Sequence, residues 1–180
     1  MLQKTSPQTR KIVAAIVIVA AILMIAWVPF LAFNQVNPIV NLQFERMDQF
    51  KAAGNAKWHL LTLTPWLVSF FYPFWGTLSA LAGVALLLIV KPLYNGKTWA
   101  RGLALFLCAI PSMGGAYMIV PWINFIGQKS GGFPPGVIIS MIGLIPYFSI
   151  LLAEKVDGKQ RIVDFLVFLM LGVTATESFA

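Results

Sequence analysis

The chain has 180 residues, of which 59% are apolar and only 11% charged, where a soluble domain carries about 25% charged residues. A mean hydropathy of +0.82, with 14 Phe, 6 Trp and 4 Tyr, excludes a disordered chain, and the single cysteine excludes a disulfide-built secreted module. The net charge of +7 comes from short basic clusters set between apolar runs, which is the pattern of membrane-topology signals and not of a nucleic-acid-binding face.

In chain order, Lys4, Arg10 and Lys11 precede an apolar run over 12–33. Its 22 residues reach about 33 Å at about 1.5 Å per residue, enough to cross a hydrocarbon core of about 30 Å. A cleavable signal peptide has an apolar region of only about 7 to 15 residues, so the run reads as an uncleaved anchor. Asn37 and Pro38 then read as an N-cap with proline at the first helical position, and Gly54 as a stop, giving an amphipathic helix over 38–53 in the first outer loop. Val40, Phe44, Met47 and Lys51 follow steps of four, three and four and form its apolar stripe, closed by a snorkelling lysine. Such a helix lies on the lipid interface or docks onto another subunit.

The next apolar run, 60–90, is 31 residues long, too long for one perpendicular crossing. Pro65 and Pro73 are where it is expected to split, into an interfacial piece around 58–71 and a crossing over about 70–90. Trp58, Trp66, Tyr72 and Trp75 suit an outer aromatic belt. A turn at Asn95-Gly96-Lys97 leads to further crossings over about 103–126, 136–153 and 162–180, with Pro111, Pro121 and Pro146 interrupting the third and fourth. The expected fold is one all-α integral membrane domain over 1–180, with about five transmembrane helices and the amphipathic interfacial helix. Nine Lys and Arg fall on the amino-terminal side and four on the other, which puts the amino terminus in the cytoplasm and the carboxyl terminus opposite.

Glycines recur in a pattern. Gly76 and Gly83 in the second crossing are matched 60 residues later by Gly136 and Gly143 in the fourth, and Asn95-Gly96-Lys97 by Asp157-Gly158-Lys159. Two helical hairpins of common origin would produce this, as would chance among apolar helices. Ser79 with Gly83, Ser112 with Ala116, and Gly136 with Ser140 have the four-residue spacing that lets helix backbones touch, within the bundle or between subunits.

One His, three Asp and three Glu are too few for a metal cage or an ordinary catalytic set, so neither a metal nor a catalytic residue is expected. His59, beside Trp58, reads as an interfacial histidine, with ligation of haem, chlorophyll or a metal as the alternative. Asp164 reads as the partner of Arg161 three residues earlier, and Glu177, among Thr174, Thr176 and Ser178, as the hydrated chain end or a buried proton or cation carrier. Cys108 reads as a packing residue. The preferred function is a non-enzymatic subunit or scaffold of a larger membrane assembly, with other membrane subunits or copies of itself as partners and bound lipid in place of a cofactor. The alternatives are a small oligomeric transporter or channel along the proline-broken helices and a pigment- or haem-binding membrane protein.

Overall fold

The computed structural model describes residues 5–123, 133–153 and 158–177. These form helices α1 (Pro7–Ala52), α2 (Thr64–Tyr94), α3 (Thr98–Pro121), α4 (Pro135–Ala153) and α5 (Gly158–Glu177), with a 3₁₀ helix at Ala56–Leu61 and no strand among the described residues. The all-α class is as expected. Among the described residues four helices, α1 to α4, are long and apolar enough to cross a membrane. α5 is not one of them, since its 20 residues include Lys159, Arg161, Asp164 and Glu177. The expected ends of the third and fifth crossings, 124–126 and 178–180, lie outside the described residues, as do Lys4, Lys129, Lys155 and Asp157.

Local chemistry fixes the helix ends. Ser6 caps α1 by accepting from the Thr9 amide at 3.1 Å, with Pro7 in the first helical position, where its missing N–H costs nothing. α1 stops at a left-handed glycine, Gly54, with φ of 64°; the Gly54 amide donates to the Lys51 carbonyl and the Asn55 amide to the Phe50 carbonyl. α2 stops in the same way at Gly96, with φ of 75°, through the Gly96 amide to Leu93 and the Lys97 amide to Pro92.

Two expectations need correction. The anchor and the amphipathic helix are one helix: α1 runs 46 residues, about 69 Å, straight through Pro29 and Pro38. Pro38 is therefore an interior residue. The inward stripe explains the continuity, because Val17, Ala21, Met24, Val28 and Ala32 are followed, still in steps of three and four, by Gln35, Ile39 and Gln43, all buried. That phase excludes the stripe proposed from hydropathy: Phe44 is 41% exposed and Val40 and Met47 only half-buried. Lys51 does not snorkel; its ammonium sits 4.8 Å over the Trp58 ring and 3.6 Å from Asp48.

The long second run likewise does not split at Pro73. α2 is a single helix of 31 residues with Pro65 near its start, and only the preceding 3₁₀ helix stands apart. Hydroxyls near three interior prolines bond back one turn: Thr77 to the Pro73 carbonyl, Ser112 to Cys108 beside Pro111, and Ser149 to Ile145 beside Pro146. Such bonds ease a gentle bend where proline has removed a backbone donor.

The helices form a ring in the order α1, α2, α3, α4 and back to α1, with α1 and α3 barely touching across the diagonal. α5 lies outside the ring against α3. Thr5 closes the ring by donating its hydroxyl to the Ala153 carbonyl at 3.1 Å, which joins the start of α1 to the end of α4. Met24, Leu86, Leu105, Met118, Ile139 and Ile150 fill the interior, each at most 1% exposed.

Candidate functional site

Between lipid-facing helices apolar burial gives little drive, so association depends on close packing. The two tightest seams are built on glycine. A Cβ on Gly83 would stand 2.7 Å from the Ala21 carbonyl oxygen and one on Gly76 3.2 Å from Pro29, so α2 rides directly on α1, with Ser79 buried on the helix between them. A Cβ on Gly143 would collide with the Cys108 carbonyl and the Ser112 hydroxyl, and Gly136 faces Gly115, so α4 rides on α3 in the same way. Ser140 adds a hydrogen bond from its hydroxyl to the Ser112 carbonyl at 3.1 Å. Ala116 is the exception among the residues singled out for packing: it is exposed, and Gly115 meets α4 instead. Cys108 is fully buried in this seam.

The seams bear on the repeat. In the two hairpins of the repeat, α2–α3 and α4–α5, the first helix turns its glycine pair to the helix before it, α1 or α3. The likeness ends at the last helix, because α3 packs on α2 whereas α5 packs on α3 and hardly on α4.

Asp164 takes Arg101 of α3 as its ion-pair partner at 2.7 Å, with side chains only 12% and 14% exposed, and accepts a second bond from Gln160 at 2.8 Å. The sequence named only the neighbouring Arg161, because the position of α3 beside α5 is not a local property. The Tyr147 hydroxyl donates to the Phe165 carbonyl at 2.8 Å, and Phe148 stacks on the Phe165 ring. His59 is exposed on the 3₁₀ helix, its ring tilted by 31° against Trp58 with ring centres 3.6 Å apart. Glu177 is the last described residue of α5, and its side chain lies outside the described residues. The structure thus does not bring His59, Asp164 and Cys108 together: they lie on the 3₁₀ helix, on α5 beside the start of α3, and in the α3–α4 seam.

A different constellation appears at the opposite end of the bundle from Thr5. A cleft of about 330 Å³ between α1, α2 and α3 is lined by Gln43, Leu67, Tyr72, Trp75, Tyr117 and Val120, among others, with no charged side chain among the described residues. Three of these are nearly fully buried (Gln43 2%, Tyr72 2%, Trp75 6%), yet the Gln43 carbonyl oxygen, the Tyr72 hydroxyl and the Trp75 indole N–H have no hydrogen-bond partner. Below them Gln35 spends its amide N–H on the Leu31 carbonyl and leaves its own oxygen unpaired. Buried polar groups without partners cost about 1–3 kcal/mol each. The aromatic wall is rigid: Tyr117 stacks on Trp75 at 5.0 Å, and Gly114 lies close beneath the indole, where a Cβ would be 3.2 Å from Trp75 Cβ.

Hydropathy missed this cleft because it drew the inner stripe of a separate helix through Val40, Phe44, Met47 and Lys51, leaving Gln43 off it, and placed Tyr72 and Trp75 in an outer aromatic belt. The signal was present in the continued stripe of Gln35, Ile39 and Gln43. No protein-family model, curated protein or solved structure matches the chain.

Proposed function

We propose that the chain is a non-enzymatic subunit of a larger membrane assembly, embedded through the ring of helices, with its amino terminus in the cytoplasm. The observation that carries this reading is the filled ring. Interior side chains and glycine seams occupy its axis, so the working surfaces are the outward faces. On α1 these carry Val19, Ile22, Phe30 and Phe33, and on α5 Ile162, Val163, Leu166 and Met170, all more than half exposed apart from Leu166 at 49%. α5 contacts the ring mainly through α3, and its apolar outer face suits a fifth crossing that meets lipid or a neighbouring subunit. The prolines read earlier as breaks along a solute path support packing instead: Pro111 and Pro146 are buried inside continuous helices.

Native mass spectrometry after gentle detergent extraction from the source membrane tests the proposal. Heterologous membrane subunits retained with the chain are the expected result. A monomer or homo-oligomer that also conducts solute in liposomes would overturn it in favour of a small transporter.

A further inference from the structure

The four ring helices repeat one another in pairs. Gly83 meets Ala21 and Gly76 meets Ala32 across the α1–α2 seam, while Gly143 meets Cys108 and Gly136 meets Ile119 across the α3–α4 seam. From the first seam to the second the glycines advance by 60 residues and their partners by 87. The same two steps relate the grooves on the flanks of the ring. Val19, Ala20 and Leu23 of α1 line one groove with Ile138, Met141, Ile142 and Ile145 of α4. Phe106, Leu107 and Ile110 of α3, their counterparts on α1 advanced by 87, line the other with Leu78, Leu81, Ala82 and Ala85 of α2. An approximate twofold axis along the ring therefore exchanges α1–α2 with α3–α4.

The twofold fails at α5. This helix lies on the α3–α4 pair, tied through Arg101, Tyr147 and Phe148. Leu105 and Ala109, one and two turns beyond Arg101 on the same face of α3, are 0% and 1% exposed, and Tyr147 is 1% exposed. Their counterparts Ile18, Ile22 and Leu87 are 38%, 52% and 40% exposed, and Leu88, the counterpart of Phe148, is 77% exposed. The apolar face that α5 covers on one pair is thus open on the other among the described residues.

Charge selects what covers it. The counterpart of Arg101 is Ala14, but Lys11 lies one turn earlier on that face and Lys91 one turn beyond Leu87 and Leu88, both exposed. With Gly83 opposite Ala21, Lys91 stands level with Val13, two residues from Lys11, so two ammonium groups share one level at the basic end of the face. A second copy of α5 would bring Lys159 and Arg161 against them, with its Asp164 already held by Arg101 and Gln160. Like charges disfavour that arrangement, whereas a carboxylate on another helix would complete the pattern that Asp164 sets on α3–α4.

We propose that an apolar helix of a partner subunit docks on the α1–α2 face as α5 docks on α3–α4, with an Asp or Glu near its end placed between Lys11 and Lys91. The inference rests on the subunit reading and gives the partner's chemistry.

The test uses the full chain in its source membrane, with a photoactivatable phenylalanine analogue in place of Ile22 or of Leu88, and maps the adducts by peptide mass spectrometry. Both positions should crosslink to one helix of a different protein. In the unsubstituted chain a lipid-soluble carbodiimide should join Lys11 or Lys91 through an amide bond to an Asp or Glu of that same helix. The double variant Lys11→Gln with Lys91→Gln should lower the photo-adduct yield about fivefold, the scale of an exposed ion pair, and Lys11→Arg with Lys91→Arg should restore it. Adducts to lipid alone would overturn the proposal. So would adducts or amide bonds only to peptides of this chain, or a partner helix whose yield ignores the glutamine variant and which gives no amide. Native mass spectrometry of the unsubstituted chain separates the two readings: retained foreign subunits with lipid-only adducts at Ile22 and Leu88 would reject this face and leave the subunit reading standing. The carbodiimide link needs no variant, so a substituted chain that fails to fold leaves the test intact.

Discussion

Arg101 and Asp164 fasten α5 to α3 at 2.7 Å, near the start of each helix and 63 residues apart in sequence. Beyond Asp164 the described exposed side chains of α5, Leu166, Val167 and Met170, are apolar, and the Tyr147 hydrogen bond to Phe165 adds a second directional contact. Removing one partner leaves a charge in a site that is only 12–14% exposed. Asp164→Leu should therefore cost about 2 kcal/mol or more, somewhat below the roughly 3–5 kcal/mol of a fully buried pair. The double variant Arg101→Met with Asp164→Leu should recover most of that loss. Denaturant unfolding in detergent, run as a double-mutant cycle, measures both, and an additive cycle would show that the pair carries no coupling.

The glycine seams give a graded series. Gly143→Ala places a methyl against the Cys108 carbonyl and the Ser112 hydroxyl and should cost about 2–3 kcal/mol by forcing α3 and α4 apart. Gly76→Ala, with its nearest neighbours at 3.2 Å, should cost less, and Gly158→Ala, with no neighbour within 4 Å, should be close to neutral. Thermal midpoints in one detergent rank the three. A Gly143→Ala protein as stable as Gly158→Ala would refute the close approach of α3 and α4.

Tyr72→Phe measures the cost of a buried hydroxyl without a partner. In lipid-stripped detergent the hydroxyl has no partner, so its removal should leave stability unchanged or raise it by about 1 kcal/mol. Thermal midpoints of the two proteins in the same detergent check it, and a clear loss in the variant would show that the hydroxyl has a partner.

Cys108 reports on the filled axis. Its thiol is fully buried between α3 and α4, so the folded protein should resist both water-soluble and lipid-soluble maleimides and react only after denaturation. Rapid labelling of the folded chain would reveal an opening along α3, as a transporter requires.

The helical class and the glycine contacts were legible because each follows from one local fact. Apolar runs of membrane length have few alternatives to helix, and a pair of glycines seven apart on one helix marks a face that a neighbour can approach closely. Pro38 was misread because a proline after asparagine looks the same whether it opens a helix or sits inside one, and the deciding evidence is tertiary: the buried stripe through Gln35, Ile39 and Gln43. Hydropathy sorts glutamine outward, so the residues that join the two halves of α1 also hid the cleft. Arg101 beside Asp164 was beyond a single sequence for another reason, since nothing local states that α5 leaves α4 and leans on α3.

The bond from Thr5 to Ala153 fixes an order of assembly during synthesis. α1 leaves the ribosome first, and α2 can dock on it as soon as the Gly76 and Gly83 seam is made. The other flank of α1, the one that meets α4, has no protein neighbour until α4 is made some hundred residues later. Until then lipid or the insertion machinery must shield it. The oldest part of the chain is thus the last to be enclosed, and changes in α4 will show first as loss of newly made protein.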